Sequence, residues 1–358
     1  MTRPAGPPQG DTVAAALDAP HNHFGLIRLL LALAVVVSHA FSVSSGEIAD
    51  EPLTGLTGFT LGEHGVNGFF AISGFLVTMS YERRGWRDYV AARALRIAPG
   101  LIAATLVVSL GLGAAMSRLD ASAYFAEPRL WSFIWNTLTS FKSAAALPGV
   151  FASNPLAFPM GTVWTLKYEV ICYAGVLGVG LAGLLGRREL CLAAGVALTL
   201  AVVVREIAAP DGAKGVETAL RLPLIFLAGG LAYLWRWHVR LSLPGLALAL
   251  LVVALLSPTP LYKAALYLVT AWGVLVLALS PRLTGWRSEP PADLSYGVYL
   301  YGWPVQQTLV ALLPGAGALV MLAPALALTV MVAALSWHFV EAPALKLKRR
   351  LLAAPAGG

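Results

Sequence analysis

The chain has 358 residues, of which 58% are hydrophobic and only 12% charged, with a mean hydropathy of +0.74. So much apolar surface excludes a soluble fold built around one core and points to a polytopic membrane protein. The net charge of +7 is concentrated in loops, as the positive-inside rule requires, and gives no case for nucleic acid as a partner. Two cysteines, Cys172 and Cys191, both in apolar runs, exclude a disulfide framework or a cysteine metal site.

The first stretch, "MTRPAGPPQGDTVAAALDAP", is rich in Pro, Gly and Ala. It has no apolar core of a signal peptide and reads as a flexible cytoplasmic leader over residues 1–20. Apolar runs long enough to cross hydrocarbon follow, at 26–43, 64–80, 97–117, 168–186, 190–208, 219–237, 241–256, 262–280, 294–313 and 317–340. The fold class expected is therefore all-α: a polytopic helical bundle of about ten transmembrane helices over residues 21–345, with a basic tail at 346–358. With the N-terminus inside, Arg3 and the inner segments "YERRGWRDYVAARALR", "RRE", "RWHVR", "PRLTGWRSEPPAD" and "KLKRR" hold 16 of the 25 Lys and Arg residues, which places both termini in the cytoplasm. Residues 118–167 are too polar and too interrupted by proline to span. They read as an outer loop bearing a short amphipathic helix over a cavity.

Three constellations carry polar chemistry inside this apolar frame. Arg28 and His39 stand eleven positions apart, which at 100° per residue is about 20° beyond three turns, so they share one helix face roughly 16 Å apart along the axis. Ionisable groups within a span are expensive and mark a functional pathway unless they snorkel or find partners. The stretch "GEHGVNGFFAISGFL" leads into the second span. Its Gly65, Gly68, Ser73 and Gly74 allow either close helix approach or a broken helix whose amides face a ligand. The basic loop after it places Arg93 and Arg96 three apart on one helical face, an arrangement suited to phosphate. In "TVWTLKYEVICY", Glu169 stands at the outer mouth of the fourth span beside Trp164, Tyr168 and Tyr173, at a depth similar to that of His39. A carboxylate hydrogen-bonded to an imidazole fixes its tautomer and raises its basicity.

These stretches together resemble the acyltransferase 3 family of membrane-bound acyltransferases, from about residue 21 to 345. An R-x10-H pattern is matched by Arg28 and His39, and a "GV..FF..SGFL" pattern by Gly65, Val66, Phe69, Phe70 and Ser73 to Leu76. Arg93, Arg96, Ile97 and Pro99 match "R..RI.P", and Trp164, Leu166, Glu169 and Tyr173 match "W.L..E...Y". The late runs "LSYGVYLYGWPVQ" and "WHFVEAP" fit as well, with one departure: Gly302 occupies a place where many relatives carry a histidine. His64, in the loop before the second span, reads as a local variation and is kept as an alternative site; His338 and Glu341 read as structural.

The resemblance implies transfer of an acyl group, most often acetyl, from cytoplasmic acyl-coenzyme A, a co-substrate rather than a resident cofactor, to a hydroxyl of an extracytoplasmic or lipid-linked carbohydrate. On this reading His39 is the general base, with Glu169 orienting it and Arg28 lining the donor channel. Arg93, Arg96, Arg28, Ser73 and Gly74 hold the donor, and Trp164, Tyr168 and Tyr173 face the acceptor. No metal is implied. Membrane lipid surrounds the protein in the bacterial inner membrane, and a second copy or a separate envelope-assembly protein is a further expected partner. Two alternatives from other classes are a transporter or flippase for a glycan or anionic substrate, which also uses intramembrane charge, and an accessory subunit in which His39 and Glu169 are dispensable.

Overall fold

The computed structural model describes residues 10–19, 21–280, 283 and 289–352. Most of the first half of the leader, most of the inner loop at 281–288 and the last six residues of the tail lie outside them. Among the described residues the chain is helical throughout, broken only by turns and by two isolated β-bridges. The ten apolar runs fall on helical stretches, two of them, 64–80 and 97–117, on one continuous helical stretch. Among the described residues six helices are long and apolar enough to cross a membrane: Phe24–Ser45, Leu61–Met116, Arg188–Ala208, Lys214–Leu234, Tyr262–Leu279 and Ala318–Lys348. Leu243–Leu255 is apolar and shorter.

The longest of these merges two expected spans and the basic loop between them. "YERRGWRDYVAARALR" is dominated by residues that favour helix, so the chain stays helical until Gly85, whose φ of 75° and ψ of 176° break the run before it resumes. At the start of this helix Thr60 accepts from the Glu63 amide while the Glu63 side chain accepts from the Thr60 amide, satisfying two donors that a helix end leaves open.

The chain divides into two compact units. One comprises residues 1–28, 66–89 and 168–290. Its helices meet through small residues: a Cβ built on Gly74 would lie 1.8 Å from the Phe226 carbonyl oxygen, and one on Gly229 2.0 Å from that of Ala71. Only glycine lets these two backbones touch, which is how helices associate where lipid offers no hydrophobic drive. The same unit contains a buried charge network. Glu217 pairs with Arg221 at 3.1 Å and accepts from the Tyr267 hydroxyl at 2.7 Å, so Arg221, only 1% exposed, is neutralised inside the apolar region. Residues 11–17, which composition assigns to a flexible leader, are held here: Val13 and Ala14 donate backbone hydrogen bonds to Val239 and Arg236, and the short helix Val13–Leu17 buries Val13, Ala14 and Ala16. The Ala-rich half of the leader has apolar side chains to bury, whereas the Pro-rich half has few.

The second unit comprises residues 29–65, 90–167 and 291–358. Its segment 118–167 is more structured than one amphipathic helix: Ala121–Ala126 and Pro128–Ser140 are both helical, and the Tyr124 hydroxyl, which burial pushes up to about 12, donates to the Ser109 carbonyl at 2.6 Å. Cys172 and Cys191, both in the first unit, are free and buried.

Candidate active site

His39 stands on the helix Phe24–Ser45 in the register expected, with Arg28 eleven residues earlier on the same helix. Its ring makes a T-shaped contact with that of Trp303, with centroids 5.0 Å apart and planes at 81°. Among the described residues no side-chain hydrogen bond occupies its ring nitrogens, so both remain available to a ligand. The helix Ser295–Leu312 provides this contact through residues one turn apart. Gly302 packs on Val36, where a Cβ would approach the Val36 methyl to 2.6 Å, and Gln306 donates to the Val36 carbonyl at 2.7 Å. Any side chain at position 302, histidine included, has to displace Val36; the departure from the family pattern is built into this packing.

Trp303 and Gln307 on the same helix also bind the chain that precedes Trp164. Trp303 stacks on Phe158 (5.0 Å, 12°) and donates its indole N–H to the Phe158 carbonyl at 2.9 Å. Gln307 donates to the carbonyls of Leu156 and Phe158 and accepts from Asn154 at 2.7 Å. Trp303 thus joins the irregular segment before Trp164 to the ring of His39. Trp303, Gln306, Gln307 and Phe158 were not singled out as site residues in the sequence. Two adjacent glutamines in an apolar helix were the available signal, because amides in hydrocarbon need partners.

In the other unit, Glu169, Ser73 and Tyr173 come together. The Tyr173 hydroxyl donates to Glu169 Oε1, and the Ser73 hydroxyl, 3.1 Å from that oxygen and 3.0 Å from the Tyr173 hydroxyl, donates its single proton to one of the two. Tyr89 fixes the Tyr173 backbone by donating to its carbonyl at 2.8 Å. A carboxylate one helical turn from Tyr173 is thereby held in a single orientation. Gly74, expected among the donor-binding residues, lies at the helix crossing with Phe226.

Arg93 and Arg96 lie on one helix, as expected, but Arg96 already has a carboxylate: it pairs with Asp293 at 2.9 Å and lies 5.6 Å from the centre of the Tyr296 ring. Arg28 and Tyr168 are partly buried, and Trp164 is 40% exposed at the start of the helix Trp164–Leu181. His64 shares a hydrogen bond of 2.9 Å with Thr57, and Glu341 accepts from Ser336 at 3.0 Å, in keeping with structural roles.

A family described as "Acyltransferase domain" matches residues 22–340, nearly the whole chain. The chain belongs to the acyltransferase 3 family. Among relatives, an O-acetyl transferase of Shigella phage Sf6 is 26% identical over 339 residues, covering 89% of this chain and 95% of the relative. Nodulation protein 10 of Rhizobium leguminosarum bv. viciae is 31% identical over 366 residues, covering 93% and 95%. No solved structure gives a significant match. As an acyltransferase 3 protein with several membrane-length helices, the chain is an integral membrane enzyme that transfers acyl groups.

Proposed function

We propose that this acyltransferase moves an acetyl group from acyl-coenzyme A in the cytoplasm to a hydroxyl of an extracytoplasmic or lipid-linked carbohydrate, with His39 as general base. The observation that carries the proposal is a histidine in a membrane-length helix, its ring braced by Trp303 and its nitrogens unoccupied among the described residues. A base must be positioned yet keep a nitrogen open to the proton it takes. His39 accepts the proton of the acceptor hydroxyl as its oxygen bonds to the thioester carbonyl carbon; the carbon–sulfur bond then breaks, and the proton passes to the departing thiolate.

The donor has to be reached from inside and the acceptor from outside, which suits a ten-span arrangement with both termini cytoplasmic in a bacterial inner membrane. Arg28, three turns from His39 along its helix, and Arg93 are the cations we assign to the donor. Arg96 is assigned as their partner only after exchange with Asp293. The name of the phage relative, an O-acetyl transferase, supports oxygen as the atom acylated.

The test uses sealed proteoliposomes with radiolabelled acetyl-coenzyme A supplied to the face bearing the termini and an envelope-glycan extract on the other. Label on glycan that needs both the wild-type protein and His39 supports the proposal. Export of unmodified glycan without label transfer supports a transporter and overturns it.

A further inference from the structure

The segment 118–167 forms an open cavity of about 700 Å³ lined in part by Arg129, Ser132, Asn136, Lys142, Ser143 and Trp164, a size usual for small-molecule sites. We propose that this cavity is the acceptor subsite and that it takes an anionic saccharide, one bearing carboxylate groups on its rings. The assignment rests on the acyl-transfer reading above and specifies the substrate class.

The cavity is built by one helix and the turn that ends it. In Pro128–Ser140, positions 129, 132, 133 and 136 recur at intervals of three and four, so they form a single stripe. That stripe faces the cavity, and Asn136 donates to Ser132 within it at 3.1 Å. The helix ends at Phe141, whose φ of 54° is a left-handed conformation that a bulky side chain rarely adopts. This turn, held by the Lys142 amide on the Asn136 carbonyl at 3.1 Å, brings Phe141, Lys142 and Ser143 to the cavity wall.

Three features of the wall call for a ligand. Arg129 and Lys142 both line it and have no ion pair among the described residues. Ser143 is 1% exposed and its hydroxyl has no hydrogen-bond partner among the described residues, a costly state that a ligand oxygen relieves. Phe133, Phe141 and Trp164 supply aromatic faces. A sugar ring has an apolar face to stack on aromatics and hydroxyls for Ser and Asn, and a ring carboxylate matches the guanidinium fork. An anionic lipid headgroup shares the charge but has fewer hydroxyls for the Ser and Asn groups in this largely apolar lining. Trp131 and Trp135, suited to a membrane interface, are exposed at 53% and 69% and are absent from the lining of the cavity.

The cavity is also braced on the helix that supports His39. Thr162 donates to the Tyr299 carbonyl at 2.9 Å and the Tyr299 hydroxyl donates back to the Thr162 carbonyl at 3.0 Å. Tyr299 stands one turn before Trp303 on Ser295–Leu312, and Thr162 two residues before Trp164.

The experiment measures binding, without turnover, of trigalacturonate and of neutral maltotriose to the full chain in phosphatidylcholine nanodiscs. The wild type is expected to bind the uronate at least about 10-fold more tightly. R129Q/K142Q is expected to lose that preference, R129K/K142R to keep most of it, and Ser143→Ala to weaken both sugars severalfold. Equal affinity for the two sugars in the wild type, or an unchanged preference in a R129Q/K142Q protein that melts like the wild type, overturns the assignment. So does displacement of the uronate by phosphatidylglycerol added to the disc, which identifies the ligand as lipid. Thiol release is scored separately: uronate binding without release from any acyl donor refutes acyl transfer and leaves the cavity's anion preference standing, whereas release without binding refutes the subsite alone.

Discussion

Two histidines of the same unit, His39 and His64, sit in contrasting settings. His64 belongs to the turn that opens the long helix: its Nε2 is bonded to Thr57 at 2.9 Å, its ring rests on Phe59, and the capping box of Thr60 and Glu63 surrounds it. His39 is positioned by a T-shaped contact with Trp303, yet among the described residues nothing bonds to its nitrogens. Both rings have an aromatic neighbour, but only His64 is also held through a ring nitrogen. A hydrogen bond to the ring consumes the lone pair or proton that a base needs, whereas an aromatic contact fixes orientation and leaves the chemistry open.

The largest effect that would sharpen this contrast comes from His39→Ala, expected to reduce acyl transfer by about 10² to 10⁴ with the melting temperature little changed. Steady-state label transfer and a thermal melt check both parts. Trp303→Leu should keep the base and lose its brace, lowering kcat by about 10- to 100-fold as a misplaced group does, with KM for the donor nearly constant; a change in KM alone would break the comparison. Gln306→Leu removes the donor to the Val36 carbonyl one turn from His39 and should cost about 1 kcal/mol of stability with a smaller fall in kcat, read from the same two assays. The smallest effect is expected for His64→Ala: about 0.5 to 1.5 kcal/mol of stability and no more than a twofold change in rate. Thr57→Val should reproduce the stability loss, and the pair combined should show non-additivity because the two share one bond.

Much of this was legible in the sequence, for identifiable reasons. The register of Arg28 and His39 follows from 3.6 residues per turn and survives in the structure because Phe24–Ser45 is one uninterrupted helix. The position of each apolar run was readable because composition alone decides it. The continuity through "YERRGWRDYVAARALR" was not, because polar residues that anchor at a membrane surface are also good helix formers and only the conformation of Gly85 marks the break. The grouping of Ser73 with Glu169 and Tyr173 joins residues 96 and 100 positions apart, which no local pattern encodes. Trp303 was hidden for a related reason: "YLYGWPVQ" shows aromatics in a span, and only packing against Phe158 and His39 distinguishes this one.

The measurement that bears most directly on His39 is thiol release from acetyl-coenzyme A by the full chain in lipid nanodiscs with an envelope-glycan extract, for wild type, His39→Ala and His64→Ala at matched melting temperatures. The account predicts release from wild type and His64→Ala and at least a 100-fold loss in His39→Ala, the lower end of what a general base contributes. Equal release from the well-folded His39→Ala protein would contradict it.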